Sequence, residues 1–210
     1  MGDAAFKREE DAGHSLRGAL FLRSSGSASH QPGDAVYTTS TSVYIIDAIC
    51  KSQRHVTRST FSSELLSACD TIDHGMLLAL SLHEFTKGPQ STVNACRLRE
   101  LGGWDVKLCL YLDALSVYAA VTATFVKIPA EKSLLSHVQY LRELQDTKVL
   151  EALIWIDTRD MVADGLTKGA VDREALHHCM SGLWKISHEA KLWKSQKKHH
   201  PKHLLPSESQ

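Results

Sequence analysis

Apolar and polar positions alternate along this chain with two periods, and the switches between them predict its elements. Leu16-Arg-Gly-Ala-Leu-Phe-Leu22 and the β-branched run Val43-Tyr-Ile-Ile-Asp-Ala-Ile49 read as strands. Ser24–Ser42 reads as a Ser/Gly/Pro/Thr-rich connection and Lys51–His55 as a loop, so the two strands predict an antiparallel hairpin. From Ser59 or Thr60 the period lengthens: Phe61, Leu65, Ala68, Ile72, Met76 and Ala79 recur at helical spacing. A helix to about Phe85 is predicted, stopped by Lys87-Gly88-Pro89.

Gln90–Arg99 predicts a weaker helix. Val106–Leu112 is a nearly continuous apolar run, the mark of a strand covered on both faces. Asp113 closes that strand. Ala114–Val126 and Glu131–Gln145 predict helices, and Val149–Ile156 predicts the last strand. Helices at Met161–Lys168 and Asp172–Leu183 complete a mixed α/β fold with one sheet, an antiparallel hairpin plus parallel strands flanked by helices. Residues 1–183 are expected to form one domain. Residues 184–210, with Lys185, Lys191, Lys194, Lys197, Lys198 and Lys202, are expected to form a basic, disordered tail, either merely solvated or able to touch phosphates.

Composition narrows the class. The 210 residues are 43% hydrophobic and 23% charged, a globular balance, and the formal net charge of +0 means that any nucleic-acid partner must be met by a local patch. Five cysteines without a C-x-x-C pair suggest reduced core thiols of an intracellular protein. The charged start lacks the apolar stretch of a signal peptide, and no apolar run is expected to span a membrane. His177-His178-Cys179 makes a poor zinc site, since neighbours on one helix point apart and no second ligand pair stands at finger spacing.

The candidate chemistry lies in acids. Asp113 ends an apolar strand, where open sheets gather ligands. Glu64 stands near the start of the long helix, and Phe61 three residues earlier rules out its use in a capping box. Asp157 ends a strand and Asp164 enters the following helix, and local pattern does not choose between them. Hydrolysis of a phosphodiester by a pair of divalent ions, roughly 3.5–4 Å apart, needs several carboxylates at one point, because Mg²⁺ takes only one or two each.

Several segments in order resemble the ribonuclease H domain of Copia-type retrotransposon polyproteins. They are Asp3-Ala-Ala-Phe6, His14–Leu20, Cys50-Lys-Ser-Gln-Arg54, Ser59-Thr-Phe-Ser-Ser-Glu64, Leu112-Asp-Ala-Leu-Ser116, Lys132, Arg142-Glu143 and Ala163-Asp-Gly-Leu-Thr-Lys168, over roughly residues 3–180. The resemblance implies a ribonuclease H-like fold and four metal-binding, catalytic acids: Asp3, Glu64, Asp113 and Asp164. It implies two Mg²⁺ or Mn²⁺ ions and cleavage of the RNA strand of an RNA–DNA hybrid. Asp157 becomes a strand-end neighbour. Lys51, Gln53, Arg54, His55 and Arg58, in the loop before the Glu64 helix, are candidate contacts to phosphate or sugar.

The chain departs from the pattern at Ala5, Ala114 and Ser133, where the family carries an acid, Asn and His. With only Met1-Gly2 ahead of Asp3, the resemblance implies a truncated first strand, completed by the reverse transcriptase module of the same polyprotein. The alternative expectation is a catalytically inactive relic that at most binds nucleic acid.

Overall fold

The structure, a computed structural model, describes residues 1–5, 15–25, 39–53, 56–169 and 173–197. Strand β1 (Gly2–Ala5) pairs antiparallel with β2 (Leu16–Ser24), which pairs antiparallel with β3 (Thr39–Ser52). In this register Asp3 stands opposite Gly18, and a bulge between Phe21 and Leu22 shifts the β2–β3 ladder. The predicted hairpin is present, and β3 is longer than its apolar run. Thr39–Ser42 and Lys51-Ser52, expected in connections, belong to the strand, because backbone pairing continues past the apolar side chains.

Helix α1 (Thr60–Lys87) begins where expected. Ser59 caps it, its hydroxyl accepting from the Ser62 amide while the Ser59 amide donates to the Ser62 hydroxyl; Gly88, at positive φ, ends it. Its 28 residues make it long and apolar enough, by length and mean hydropathy, to cross a membrane, contrary to the expectation that no segment is. Leu65, Ala68, Ile72, Met76 and Ala79 nevertheless lie buried inside the protein, the pattern of a core helix.

Helix α2 (Thr92–Leu101) has no buried residue. Strand β4 (Cys109–Leu112) is shorter than Val106–Leu112, and α3 (Leu115–Thr122) shorter than Ala114–Val126. A 3₁₀ turn leads into α4 (Leu135–Asp146). Strand β5 (Ala152–Ile156) pairs parallel with β4, Leu110 opposite Leu153. Short α5 (Asp164–Thr167) and α6 (Glu174–Met180) follow.

The chain does not end its sheet at β5. Strand β6 (Leu183–Ile186) adds to β3, and β7 (Ala190–Trp193) adds antiparallel to β5. The tail expectation therefore fails for residues 184–193, while 198–210 lie outside the described residues. Its lysines work within the fold: Lys191 sits over the Trp155 ring and Lys194 bonds Glu151 at 2.9 Å.

The result is α/β, with strand orders β1-β2-β3-β6 and β4-β5-β7 in place of the single sheet expected. Strands β4 and β5 are covered on both faces. One core joins α1, α3 and α4 to Leu110, Leu112 and Leu153; the other joins Leu20, Val43, Ile154, Ile156, Val162, Trp184 and Ile186. Among the cysteines, Cys69 and Cys179 are buried, whereas Cys50 and Cys96 are exposed rather than core thiols.

Candidate metal centre

Asp3 enters the site from β1. Its side chain is fully buried, its carbonyl accepts from the Ser67 hydroxyl at 2.8 Å, and its carboxylate accepts from the Thr167 hydroxyl. Opposite it, Gly18 leaves room for α5: a Cβ there would stand 2.5 Å from the Thr167 methyl. The absence of a side chain at position 18 lets the helix carrying Asp164 close on the strand carrying Asp3.

Asp113 follows β4 directly and is half-buried. Its carbonyl accepts from the Trp155 indole of β5 at 2.7 Å, and its carboxylate is bonded by Thr158. Asp164 is the first residue of α5 and is buried. One carboxylate oxygen from each of Asp3, Asp113 and Asp164 lies within 4.8 Å of the others. Three of the four predicted acids, far apart along the chain, thus share one point.

Glu64 lies outside that trio but within reach of its field. It is the fifth residue of α1, near the helix start, and half-buried. Burial first, then the Asp3 and Asp113 carboxylates, push its carboxyl from 4.5 up to about 9. Burial and Asp3 likewise raise Asp164 to about 7, against the pull of Lys168, and Asp113 is raised for the same two reasons.

Lys168, quoted in the sequence motif but not among the candidate site residues, stands against two of these acids. Its ammonium bonds Asp164 Oδ1 at 2.7 Å and stands 3.4 Å from Asp3 Oδ1. Burial lowers its basicity, but the bond to Asp164 and the surrounding acids outweigh that and hold it above its ordinary value. The signal was available: Asp164 and Lys168 are four apart, the spacing at which helical side chains meet.

Asp157 proves structural. It caps a 3₁₀ turn (Thr158–Asp160) by accepting from the Arg159 amide, and its paired bond to the Arg159 guanidinium draws it down to about 2. The candidate nucleic-acid contacts divide. Lys51, near the end of β3, and Arg58, just before α1, are exposed, whereas Arg54 and His55 lie outside the described residues. Gln53 is buried, and its side-chain amide donates to the Ser63 carbonyl at 2.7 Å, which ties the chain after β3 to α1. His177 and His178 are exposed, while Cys179 is buried.

Three carboxylates against one ammonium leave an excess of negative charge that burial makes costly, and it opposes ionisation of the neighbouring Glu64. Hard oxygen donors of this kind suit Mg²⁺ or Mn²⁺ rather than a soft metal. The raised carboxyls are the local expression of the same excess. No protein-family model, curated protein or solved structure matches this chain.

Proposed function

We propose that this chain is a metal-dependent endonuclease of the ribonuclease H-like type, cleaving the RNA strand of RNA–DNA hybrids as a module of a Copia-type retrotransposon polyprotein. The carrying observation is the meeting of Asp3, Asp113 and Asp164 within 4.8 Å. The order of elements supports the reading: an antiparallel three-strand meander starting with one acid, a long helix bearing Glu64, a strand closed by Asp113, and a short helix opened by Asp164.

In this reading Asp3, Asp113 and Asp164 hold the cation, with Glu64 as the neighbouring fourth acid. Bound Mg²⁺ or Mn²⁺ supplies charge stabilisation to the attacking and leaving oxygens. Asp3 is kept rigid by Thr167 and by its place in the ladder, and Asp113 by Trp155 and Thr158. Glu64, whose carboxyl is held raised by burial and by the Asp3 and Asp113 charges before any cation arrives, borders the site as its fourth acid. Lys51 and Arg58 supply cationic contacts to the hybrid backbone, which is recognised by shape and 2′-hydroxyls rather than by base sequence. The partner within the polyprotein is the reverse transcriptase module, and the compartment is intracellular.

The test is cleavage of a labelled RNA–DNA hybrid with Mg²⁺ or Mn²⁺, comparing the full chain with Asp113→Asn. Metal-dependent cutting of the RNA strand, lost in Asp113→Asn, is expected. A second reading, an inactive module that binds hybrid without cutting it, is favoured by Glu64 lying outside the trio. It is the outcome if both proteins bind hybrid and neither cleaves it.

A further inference from the structure

Lys168 is placed as a cation within the centre. Both carboxylate oxygens of Asp3 face consecutive residues of the chain: Oδ2 accepts from the Thr167 hydroxyl, and Oδ1 stands 3.4 Å from the Lys168 ammonium. The same ammonium is 2.7 Å from Asp164 Oδ1. Its backbone amide donates to the Asp164 carbonyl at 2.9 Å, which fixes the base of the side chain beneath the acid it neutralises. Asp113, by contrast, takes its side-chain bond from Thr158.

Two positive charges cannot share the space between Asp3 and Asp164 in a buried setting without strong repulsion. The lysine is about a third exposed and carries its charge on a flexible four-carbon stem, so it has a way out toward solvent that the acids lack.

We infer that Lys168 is a built-in counter-ion for Asp3 and Asp164 that a divalent cation must displace. The lysine therefore sets the affinity of the centre by competing with the cation for the same carboxylates. This rests on the metal-centre reading above. The departing ammonium is released at the rim of the site, where it can meet a phosphate of the bound strand.

The experiment titrates MnCl₂ into the full chain by calorimetry, comparing wild type with Lys168→Met and Lys168→Gln. Both variants are expected to bind Mn²⁺ roughly tenfold more tightly or better, since a unit positive charge in contact with two ligands has gone. Equal or weaker binding in the variants, with wild type binding normally, overturns the lysine's role and leaves the metal centre standing. No binding by any of the three overturns the metal centre and this inference together. A second measurement needs no variant: amine labelling of wild-type Lys168, read by mass spectrometry, is expected to rise severalfold when MgCl₂ is added. A rate that stays flat or falls overturns the displacement.

Discussion

The indole of Trp155, on β5, donates to the carbonyl of Asp113, just beyond the end of β4, at 2.7 Å. Asp113 stands one residue past the last paired position of its strand, where the ladder no longer holds it, and this bond extends that hold. Removing it with Trp155→Phe keeps most of the ring packing. The expected costs are about 1 kcal/mol of stability and roughly a tenfold loss in Mn²⁺ affinity, through a looser Asp113. Calorimetric titration with Mn²⁺ alongside a thermal melt checks this, and unchanged affinity with lowered stability would show that the bond serves the fold alone.

Gly18 reaches the site from the opposite side. A methyl at this position would strike the Thr167 methyl, and turning that side chain away would break its hydroxyl bond to Asp3. Gly18→Ala is expected to cost about 1–3 kcal/mol by overpacking and to weaken Mn²⁺ binding roughly 10–100-fold. A variant that melts like wild type and binds the ion equally well would mean that α5 shifts without disturbing Asp3.

Protonation links the centre to stability. Glu64 is raised from 4.5 to about 9 and Asp164 from 3.8 to about 7, so the folded state binds more protons than the unfolded chain between those limits. Their contribution is fully present below about pH 4, where both states are protonated. It is lost as pH rises through about 7 and then about 9. The melting temperature without divalent ions should fall across that window. The rise produced by a fixed excess of MgCl₂ should grow over the same window, since ligands must be deprotonated to bind. A stabilisation by Mg²⁺ that does not vary between pH 5 and 9 would count against Asp164 as a ligand and against Glu64 as its charged neighbour.

Two neighbouring aspartates should behave differently. Asp160 is buried and accepts from the Ser187 and His188 amides at 3.1 and 2.8 Å, pinning the turn between β6 and β7, with the His188 ring at 3.0 Å. Asp160→Ala is expected to cost about 2–3 kcal/mol, or roughly 4–12 °C in a melt. Asp157, whose partner Arg159 is largely exposed, should lose no more than about 1 kcal/mol as Asp157→Asn. Equal effects would mean that the β6–β7 turn is not held by Asp160.

What the sequence determined by itself was local. The α1 stripe from Leu65 to Ala79 and its Ser59 cap are written in side chains three and four apart, so the helix and its buried face could be read directly. The alternation and β-branching of β2 and β3 likewise announced a hairpin. Strands β6 and β7 escaped because each is four residues long and mixes lysine with apolar side chains. They exist only through pairing with β3 and β5, partners distant along the chain.

The site divides in the same way. Motif resemblance could nominate Asp3, Glu64, Asp113 and Asp164, but a list of acids carries no distances. Tertiary structure decided that three of them meet, that Glu64 stands to one side, that Asp157 pairs with Arg159, and that the Gln53 side chain bonds Ser63. It also put Lys168 between two of the acids. The physical reason is common to all of these: burial and charge are properties of what surrounds a group in space, and only folding brings those surroundings together.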